Sequence, residues 1–430
     1  MYQVKPLETY KKYSEKMRIY PAQMDTQSFG NLQVRATSDR FAPIENALVT
    51  ISSSDDPSNI IEQFATNESG LSPLISLPTP PIEYSLEPAS PRPYATYNII
   101  ISAPGYETEL IENSEVLPDS IALQNSILLP SLEEVELIFN ISPHTLYYEY
   151  PPKIPEAEIK PVGETGEIVL SRVVVPEFII VHDGSPNENA PNYWVPFRDY
   201  IKNVASSEIY ATWPESTIYA NVLAILSFTL NRVYTEWYRS QGYNFTITSS
   251  TAYDHKWIRN RNIYENISFI VDSVFVNYLS RPNVRQPILT QYCDGYRVTC
   301  PNWMSQWGSK DLGEQGYSAI EILRNYYGNS IYINTATEVS GVPSSWPGTN
   351  LTIGSRGENV RIIQSQLNRI AENFPAIPLI AVDGIYGPRT AEAVTRFQSI
   401  FDLPANGIVD MPTWYKISFI YVAVTRMAEF

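Results

Sequence analysis

The most constraining feature of the sequence is a long apolar helix pattern, PESTIYANVLAILSFTLNRVYTEWYRSQ, over residues 214–241. Apolar residues recur at alternating steps of four and three, and a second apolar row lies beside the first. A helix that is apolar on two adjacent stripes is buried, so this pattern predicts a central helix surrounded by other elements. Pro214 suits its first turn. The rows are Tyr219, Leu223, Leu226, Leu230, Val233 and Trp237, and Ile218, Val222 and Ile225.

Length and charge narrow the class of protein. The chain has 430 residues, and at ~150 residues per domain this suggests about three domains. Its net charge of −16, without a basic cluster or a Gly-rich phosphate loop, argues against nucleic acid. We expect no cofactor. The chain has 30 tyrosines and 15 phenylalanines. A tyrosine side chain offers a flat apolar face and a polar hydroxyl, which suits stacking on sugar rings as well as packing at hydrated interfaces.

The first residues contain no apolar run of the kind found in secretory signals, and no stretch is long and apolar enough to span a bilayer. We therefore expect no membrane insertion, and any location outside the cytoplasm requires another route. The two cysteines, Cys293 and Cys300, could form a disulfide or remain as two free thiols, and a zinc site is less favoured than either.

An alternating pattern follows a charged pre-segment at residues 1–27. Turn signals at 67–70 and 103–105 separate the runs, so residues 28–130 predict short half-buried strands of an all-β sandwich. The segments NALVTIS, ATNESGL and YNIIISAPGYE resemble the carboxypeptidase-regulatory or transthyretin-like sandwich, which implies a binding, spacer or pro-domain role. The alternating residues are Leu32, Val34, Ala36, Ala47, Val49, Ile51, Tyr97, Ile99 and Ile101.

Residues 131–175 contain the proline-rich run YEYPPKIPEAEIKPVGETGE. Proline density and charge predict an extended linker. A segment that is cleaved between domains and an uncleaved spacer both fit this composition.

Residues 346–430 predict a separate three-helix unit. Apolar faces mark two helices, a third follows Pro412, and Gly387 and Pro388 suit an N-cap and a first helical position. The segments IGSRGENVRIIQSQLN, VDGIYGPRTAEAVTRFQ and LPANGIVDMPTWYKI resemble the small peptidoglycan-binding domain. The resemblance implies attachment to cell-wall glycan or its peptide stems, with the turn residues Asp383, Gly384, Tyr386 and Gly387 as binding residues.

Residues 176–345 hold the candidates for chemistry. Only His144, His182 and His255 are available, and nothing in the sequence brings two of them together, so we predict no metal site. No G-x-S-x-G elbow is present. Glu208 and Glu215 would share a face of a continuous helix, but Pro214 disfavours helix at Trp213. Other carboxylates lack diagnostic spacing: Asp183, Asp199, Asp254 and Asp294.

Glu208 lies among small residues and aromatic rings in ASSEIYATWPEST. A single carboxyl group with a raised pKa suffices for cleavage of muramic acid glycans, since it protonates the glycosidic oxygen and then accepts the proton of the sugar's own 6-hydroxyl. The alternative is that Glu208 complements the positive end of the following helix.

Two segments resemble the sporulation stage II protein D (SpoIID/LytB) family. They are DYIKNVASSEIYATWPE and PNWMSQWGSKDLGEQGYSAIEILRNYYG, which contains the family's M-S-Q-W-G pattern. The resemblance implies that Glu208 is catalytic and that Tyr210, Trp213, Ser305, Gln306 and Trp307 are subsite residues. The sequence departs from the family at residues 300–303, where Cys-Pro-Asn-Trp replaces a histidine-glycine pair, and we carry over no metal.

The predicted fold is thus multidomain, with an N-terminal β-sandwich, a central α+β SpoIID-like domain and a C-terminal three-helix domain. This combination resembles the clostridial spore cortex-lytic enzymes. The resemblance implies a lytic transglycosylase made as a zymogen, acting on cortex peptidoglycan in germination and cleaved within residues 140–178 by a subtilisin-like protease. It further implies a location in the spore, with the cell wall as alternative. The competing hypothesis is a non-catalytic peptidoglycan-binding or amidase-enhancing protein.

Overall fold

The computed structural model describes residues 28–39, 41–133, 135–160, 172–336, 338–341 and 346–426. The predicted pre-segment at 1–27 lies outside the described residues, and so do residues 161–171 of the predicted linker. No helix of the described ranges has both the length and the apolar character that crossing a membrane requires.

The N-terminal part is rich in β-strands, as the alternating pattern predicts. One sheet has the order β3-β2-β5-β6-β8, and a second contains β7-β1-β4. The alternating residues of both sheets are buried in a common core, because successive side chains of a strand point to opposite faces. The strands are β1 Ser28–Ser38, β2 Leu48–Ser53, β3 Asp56–Ala65, β4 Ile75–Thr79, β5 Ala95–Ser102, β6 Thr108–Val116, β7 Ile121–Leu128 and β8 Glu136–Asn140.

The central part surrounds one buried helix. Residues 220–232 of that helix, α2, are all buried, which confirms the prediction from its two apolar rows. The helices are α1 Phe197–Glu208, α2 Glu215–Tyr234, α3 Glu265–Val274, α4 Gln306–Glu314 and α5 Ala319–Tyr327. The strands are short: β9 Val174–Val175, β10 Phe178–His182, β11 Asn192–Pro196, β12 Ile247–Thr248, β13 Ile263–Tyr264, β14 Asn277–Ser280, β15 Tyr292–Cys293, β16 Met304–Ser305, β17 Tyr332–Thr335 and β18 Glu338–Val339.

Much of the segment predicted as a linker is packed against its neighbours. Strand β8 pairs in parallel with β6. Further on, the amide of Ile154 donates to the carbonyl of Ala252 at 2.7 Å, and Gln291 Nε2 donates to the carbonyl of Ile154 at 2.9 Å. We call residues 150–160 the strap. The structure corrects the expectation of a free linker for residues 136–160, while the domain boundaries stay a prediction.

The C-terminal part has the three predicted helices, α6 Glu358–Ala371, α7 Pro388–Ile400 and α8 Met411–Arg426. Gly387 is the N-cap of α7 and Pro388 opens it, as predicted. Two glutamines of this part make matching networks. Gln364 Oε1 accepts from the Gly384 amide at 2.8 Å, and Gln398 Oε1 accepts from the Gly407 amide at 2.9 Å. The domain therefore contains the same arrangement twice: a glutamine on a helix accepts a hydrogen bond from the backbone of the turn that follows that helix.

The N-terminal sheets are joined to the central part by buried polar contacts. Strand β13 pairs with β7 and extends the second sheet. Arg261 Nη2 contacts Glu115 Oε2 at 2.6 Å, and both side chains are almost fully buried. Separating the two parts would leave each charge of this buried ion pair without its partner, which is costly. The contact therefore holds the two parts in one orientation.

Candidate functional site

Glu208 is the last residue of helix α1, and it is fully buried. Helix α2 begins only at Glu215, with Pro214 as its N-cap, so the break predicted from that proline is confirmed. The hypothesis that Glu208 complements the start of the following helix is wrong. Its position in the last turn of α1 is the negative end of a helix dipole, where a carboxylate is disfavoured.

Three donors hold Glu208. The amide of Lys256 donates to Oε1 at 2.5 Å, and the hydroxyl of Tyr292 donates to Oε2. Gln306 Nε2 donates to the backbone carbonyl of Glu208 at 3.0 Å. Both carboxyl oxygens therefore have a fixed partner, which orients the group.

Burial raises the pKa of Glu208, and the positive charge of Lys153, the Lys256 amide and the Tyr292 hydroxyl act in the opposite direction. Loss of hydration outweighs these three stabilising contacts. A carboxyl group whose pKa lies above its usual range keeps its proton closer to neutral pH, and this is the state that a general acid requires.

Lys153 of the strap enters the same buried region. Its ammonium lies 4.3 Å from the ring centroid of Tyr292 and 5.1 Å from that of Phe228, and it has no hydrogen-bond partner among the described residues. Burial lowers the pKa of Lys153 to about 8, opposed mainly by the charge of Glu208. The strap thus places a cation close enough to the candidate acid to interact with its charge.

The shifted pKa of Lys153 predicts a pH-dependent stability. Between about pH 8 and its ordinary value of 10.5, the unfolded chain binds more protons at this residue than the folded chain. The contribution of Lys153 to the free energy of unfolding therefore increases as pH rises through that window. We expect Lys153→Met to flatten this rise relative to wild type. Thermal unfolding at pH 7.5, 8.5 and 9.5 measures it, and parallel pH profiles of the two proteins would contradict the assignment.

The three histidines do not form a metal centre. His255 contacts a residue that holds the candidate acid: its ring stacks 5.8 Å from that of Tyr292, and Tyr200 Oη is 3.1 Å from its Nδ1. Burial lowers the pKa of His255 well below its usual value. His144 contacts the carbonyl of Ile209 instead. Across the described ranges, no group of three or more His, Cys, Asp or Glu residues is placed to hold a metal ion.

The alternatives for the two cysteines are resolved, since Cys293 and Cys300 form a disulfide. The loop that it closes is held further by Asp294, which accepts from the amides of Arg297 at 2.7 Å and Val298 at 2.9 Å. Because Cys293 follows Tyr292 directly, the disulfide anchors the strand that presents the tyrosine hydroxyl to Glu208.

Three of the predicted subsite residues form an aromatic cluster. The ring of Trp307 lies 5.0 Å from that of Trp213 and 6.1 Å from that of Tyr210. Tyr210 and Trp307 line a cleft of about 240 Å³, together with Arg297 and a loop from the N-terminal part, residues 84–93. The buried Nε1 of Trp307 has no hydrogen-bond partner among the described residues. The cleft is thus lined by aromatic residues, and the donor of one of them is buried without a partner among the described residues.

The 84–93 loop makes polar contacts around this cluster. Trp213 Nε1 donates to the carbonyl of Ser85 at 2.9 Å, and Lys310 Nζ donates to that of Leu86 at 2.7 Å. The N-terminal part therefore borders the cleft and binds one of the rings predicted to contact sugar.

Ser305 and Gln306 have other positions than the sequence predicts for groove residues. Ser305 is the N-cap of α4, and its Oγ accepts from the Gly308 amide at 2.9 Å. Gln306 is fully buried against the backbone of Glu208. Neither lines the 240 Å³ cleft. They connect helix α4 to the candidate acid, and a subsite role for them stays a prediction.

The four turn residues predicted in the C-terminal domain stabilise that turn. Asp383 Oδ1 accepts from the Ile385 amide at 2.8 Å and from Gln364 Nε2 at 2.9 Å. These two hydrogen bonds, that of Ile385 first, lower the pKa of Asp383. Gly384 has a φ of +74°, which favours glycine, and Tyr386 Oη donates to a carbonyl at 2.9 Å. Their role in binding peptidoglycan stays a prediction.

Sequence reasoning missed the residues that surround Glu208. Lys153 lies in a proline-rich stretch whose composition indicated a linker. Tyr292 and Lys256 belong to no sequence motif. Tyr292 follows a loop, and Lys256 contacts Glu208 through its backbone amide, which any residue could supply. Only the adjacency of Tyr292 to a cysteine gave a signal of fixed structure.

Comparison with known proteins identifies the C-terminal domain. Residues 356–417 match the family described as "Putative peptidoglycan binding domain". A stretch of 73 residues, 17% of this chain, is 44% identical to the zinc D-Ala-D-Ala carboxypeptidase of Streptomyces albus G. The chain spans about a quarter (27%) of that relative's length. The C-terminal part is therefore a peptidoglycan-binding domain, and the chain shares a stretch of sequence with a D-Ala-D-Ala carboxypeptidase.

Two solved structures were also matched, each with a TM-score of 0.17. The TIE protein of Bacillus anthracis is 14% identical and aligns over 24% of this chain and 17% of its own. A mutant catechol 1,2 dioxygenase of Acinetobacter radioresistens is 13% identical and aligns over 26% and 58%. Likenesses this weak carry no argument about fold or activity.

Proposed function

We propose that the chain is a cell-wall enzyme of the lytic transglycosylase class, which cleaves the glycosidic bond between muramic acid and glucosamine in peptidoglycan. The peptidoglycan-binding domain at residues 356–417 supports the substrate. The observation that carries the reaction type is Glu208: a buried carboxyl group with a raised pKa, oriented by the Lys256 amide and the Tyr292 hydroxyl.

The reaction assigned to Glu208 needs one proton-transfer group. Protonated Glu208 donates to the glycosidic oxygen as the bond to the muramic acid C1 breaks. The resulting carboxylate accepts the proton of the same sugar's 6-hydroxyl, whose oxygen closes the anhydro ring on C1. The Lys256 amide and Tyr292 hydroxyl stabilise the carboxylate between these steps, and its burial favours recovery of the proton.

The described form is closed, because Glu208 is fully buried. The strap places Lys153 beside it, and the 84–93 loop borders the aromatic cleft. The burial of Glu208 and these two neighbouring segments support a zymogen, in which the processing predicted within residues 140–178 would free the strap to leave. The proposed activator is a subtilisin-like protease, as the family resemblance implies.

Product analysis of intact and protease-opened protein tests the proposal. Each form is incubated with isolated peptidoglycan, and the soluble fragments are analysed by mass spectrometry. We expect anhydro-muramic ends from the opened protein and few from the intact one. Fragments with reducing ends, which hydrolysis produces, would show that the enzyme is a hydrolase and not a transglycosylase. Equal release by both forms would refute the zymogen.

The full burial of Glu208 favours a second candidate, a non-catalytic peptidoglycan-binding or amidase-enhancing protein. The same experiment separates the two. A protein that sediments with insoluble peptidoglycan, and releases no fragments before or after opening, has the binding function alone.

We propose the spore cortex as the location, with the vegetative cell wall as alternative, on the family resemblance of the central domain. Fractionation of spores and vegetative cells with an antibody against the chain tests this. Detection in vegetative walls alone would exclude the cortex.

A further inference from the structure

A cleft of about 460 Å³ lies between the central part and the peptidoglycan-binding domain. Its central side comes from the start of α2 and from α3, and its other side from residues 403–412. A volume of this size is typical of small-ligand sites. The cleft is lined by Trp213, Glu215, Ile218, Tyr219, Asn266, Phe269, Ile270, Asp272, Ser273, Leu403, Pro404, Asp410 and Pro412.

Two aromatic rings of this cleft, those of Tyr219 and Phe269, are half-buried, and the hydroxyl of Tyr219 has a fixed neighbour. Tyr219 Oη lies 3.2 Å from Ser273 Oγ, which itself donates to the Ile270 carbonyl at 2.7 Å. Phe269 is half-buried on the neighbouring helix. A ring that is fixed and exposes one face offers a stacking surface at little cost in side-chain entropy.

The polar groups of the cleft are mainly hydrogen-bond acceptors. Glu215 is exposed on the first turn of α2, and Asp410 Oδ1 accepts from the Thr413 amide at 3.0 Å. Asp272 is neutralised by Lys202 at 2.7 Å and Arg198 at 3.3 Å. The cleft therefore presents aromatic faces with carboxylate acceptors at its edge.

We propose that this cleft binds the glycan of peptidoglycan and forms a second sugar subsite that spans the two domains. The proposal rests on the proposed cell-wall function and adds the ligand's chemical class. Sugar rings offer apolar faces to Tyr219 and Phe269 and hydroxyl donors to Glu215 and Asp410. Free carboxylates of peptide stems would be repelled by the same acids, so the glycan is the fitting part.

The position of the cleft gives the site a role in the reaction. Leu403, Pro404, Asp410 and Pro412 belong to the domain matched as peptidoglycan-binding, whereas Trp213 belongs to the aromatic cluster beside Glu208. Trp213 lies 5.0 Å from Trp307, which lines the other cleft. A glycan strand held in this cleft would therefore contact both the peptidoglycan-binding domain and the aromatic cluster.

Binding of a tetramer of β-1,4-linked N-acetylglucosamine to the full chain tests the proposal. Calorimetry is carried out on the Glu208→Gln protein, so that no turnover occurs and a failure of the catalytic assignment does not affect the result. We expect Phe269→Ala and Tyr219→Ala each to weaken the Kd about tenfold, as for a buried contact residue. Glu215→Lys, at an exposed position that does not affect folding, should weaken it severalfold.

The matched control is Trp194→Ala, since this tryptophan is 69% exposed on β11 and lies outside the cleft. We expect its Kd to equal that of the parent protein. The proposal is overturned if the three cleft variants bind like the parent, or if the tetramer fails to bind the parent at millimolar concentration.

Discussion

Replacement of Glu208 by glutamine in the protease-opened protein is expected to lower the rate of anhydro-muropeptide release by ~10²–10⁴-fold, the usual contribution of a general acid. Glutamine has nearly the shape of the protonated acid but exchanges no proton with the glycosidic oxygen. The raised pKa of Glu208 means that the fold already tolerates a neutral group at this position. The measurement is the initial rate of product release, followed by mass spectrometry.

The matched control is Glu236→Gln, which removes an exposed carboxylate of the same domain. This variant should cleave at the wild-type rate. Unfolding temperatures of both variants close to that of the wild type would show that the loss is chemical. Anhydro products at the wild-type rate from Glu208→Gln would remove Glu208 from the mechanism and favour the non-catalytic alternative.

Helices and strands with regularly spaced apolar residues were predictable from sequence, because that spacing places the apolar residues on one buried face. The two apolar rows after Pro214 gave helix α2, and the pattern of the C-terminal domain gave α6, α7 and the cap at Gly387. The alternation around Val34 and Val49 gave strands with a shared core. In each case the local signal and the tertiary burial agree.

The surroundings of Glu208 could not be predicted in the same way. Its surroundings depended on the residue at which α1 ends, and its partners come from segments up to 98 residues away. Lys153 was hidden because proline-rich composition describes local conformation and carries no information about which surface a segment covers. Contacts of this kind are set by long-range packing, which periodicity does not record.

Replacement of Arg232 by methionine is expected to lower the free energy of unfolding by ~3–5 kcal/mol, the cost of breaking a buried ion pair. Arg232 is fully buried; its Nε donates to Asp254 at 2.7 Å, and its Nη1 and Nη2 donate to Glu156 at 2.9 and 2.6 Å. Methionine fills much of the volume but leaves Asp254 buried without its cation. Denaturant unfolding of wild type and variant measures the loss.

A matched control contacts the same strap from outside it. Arg281 also makes a two-pronged contact, with Glu158, but their side chains are 23% and 35% exposed, so Arg281→Met should cost only ~0–1 kcal/mol. Because Glu156 belongs to the strap, Arg232→Met should in addition speed its cleavage by added subtilisin and release anhydro products from unprocessed protein. A variant that is destabilised by 3–5 kcal/mol yet keeps the intact chain silent would show that the strap is not what closes the site, and the cover would then be assigned to the 84–93 loop.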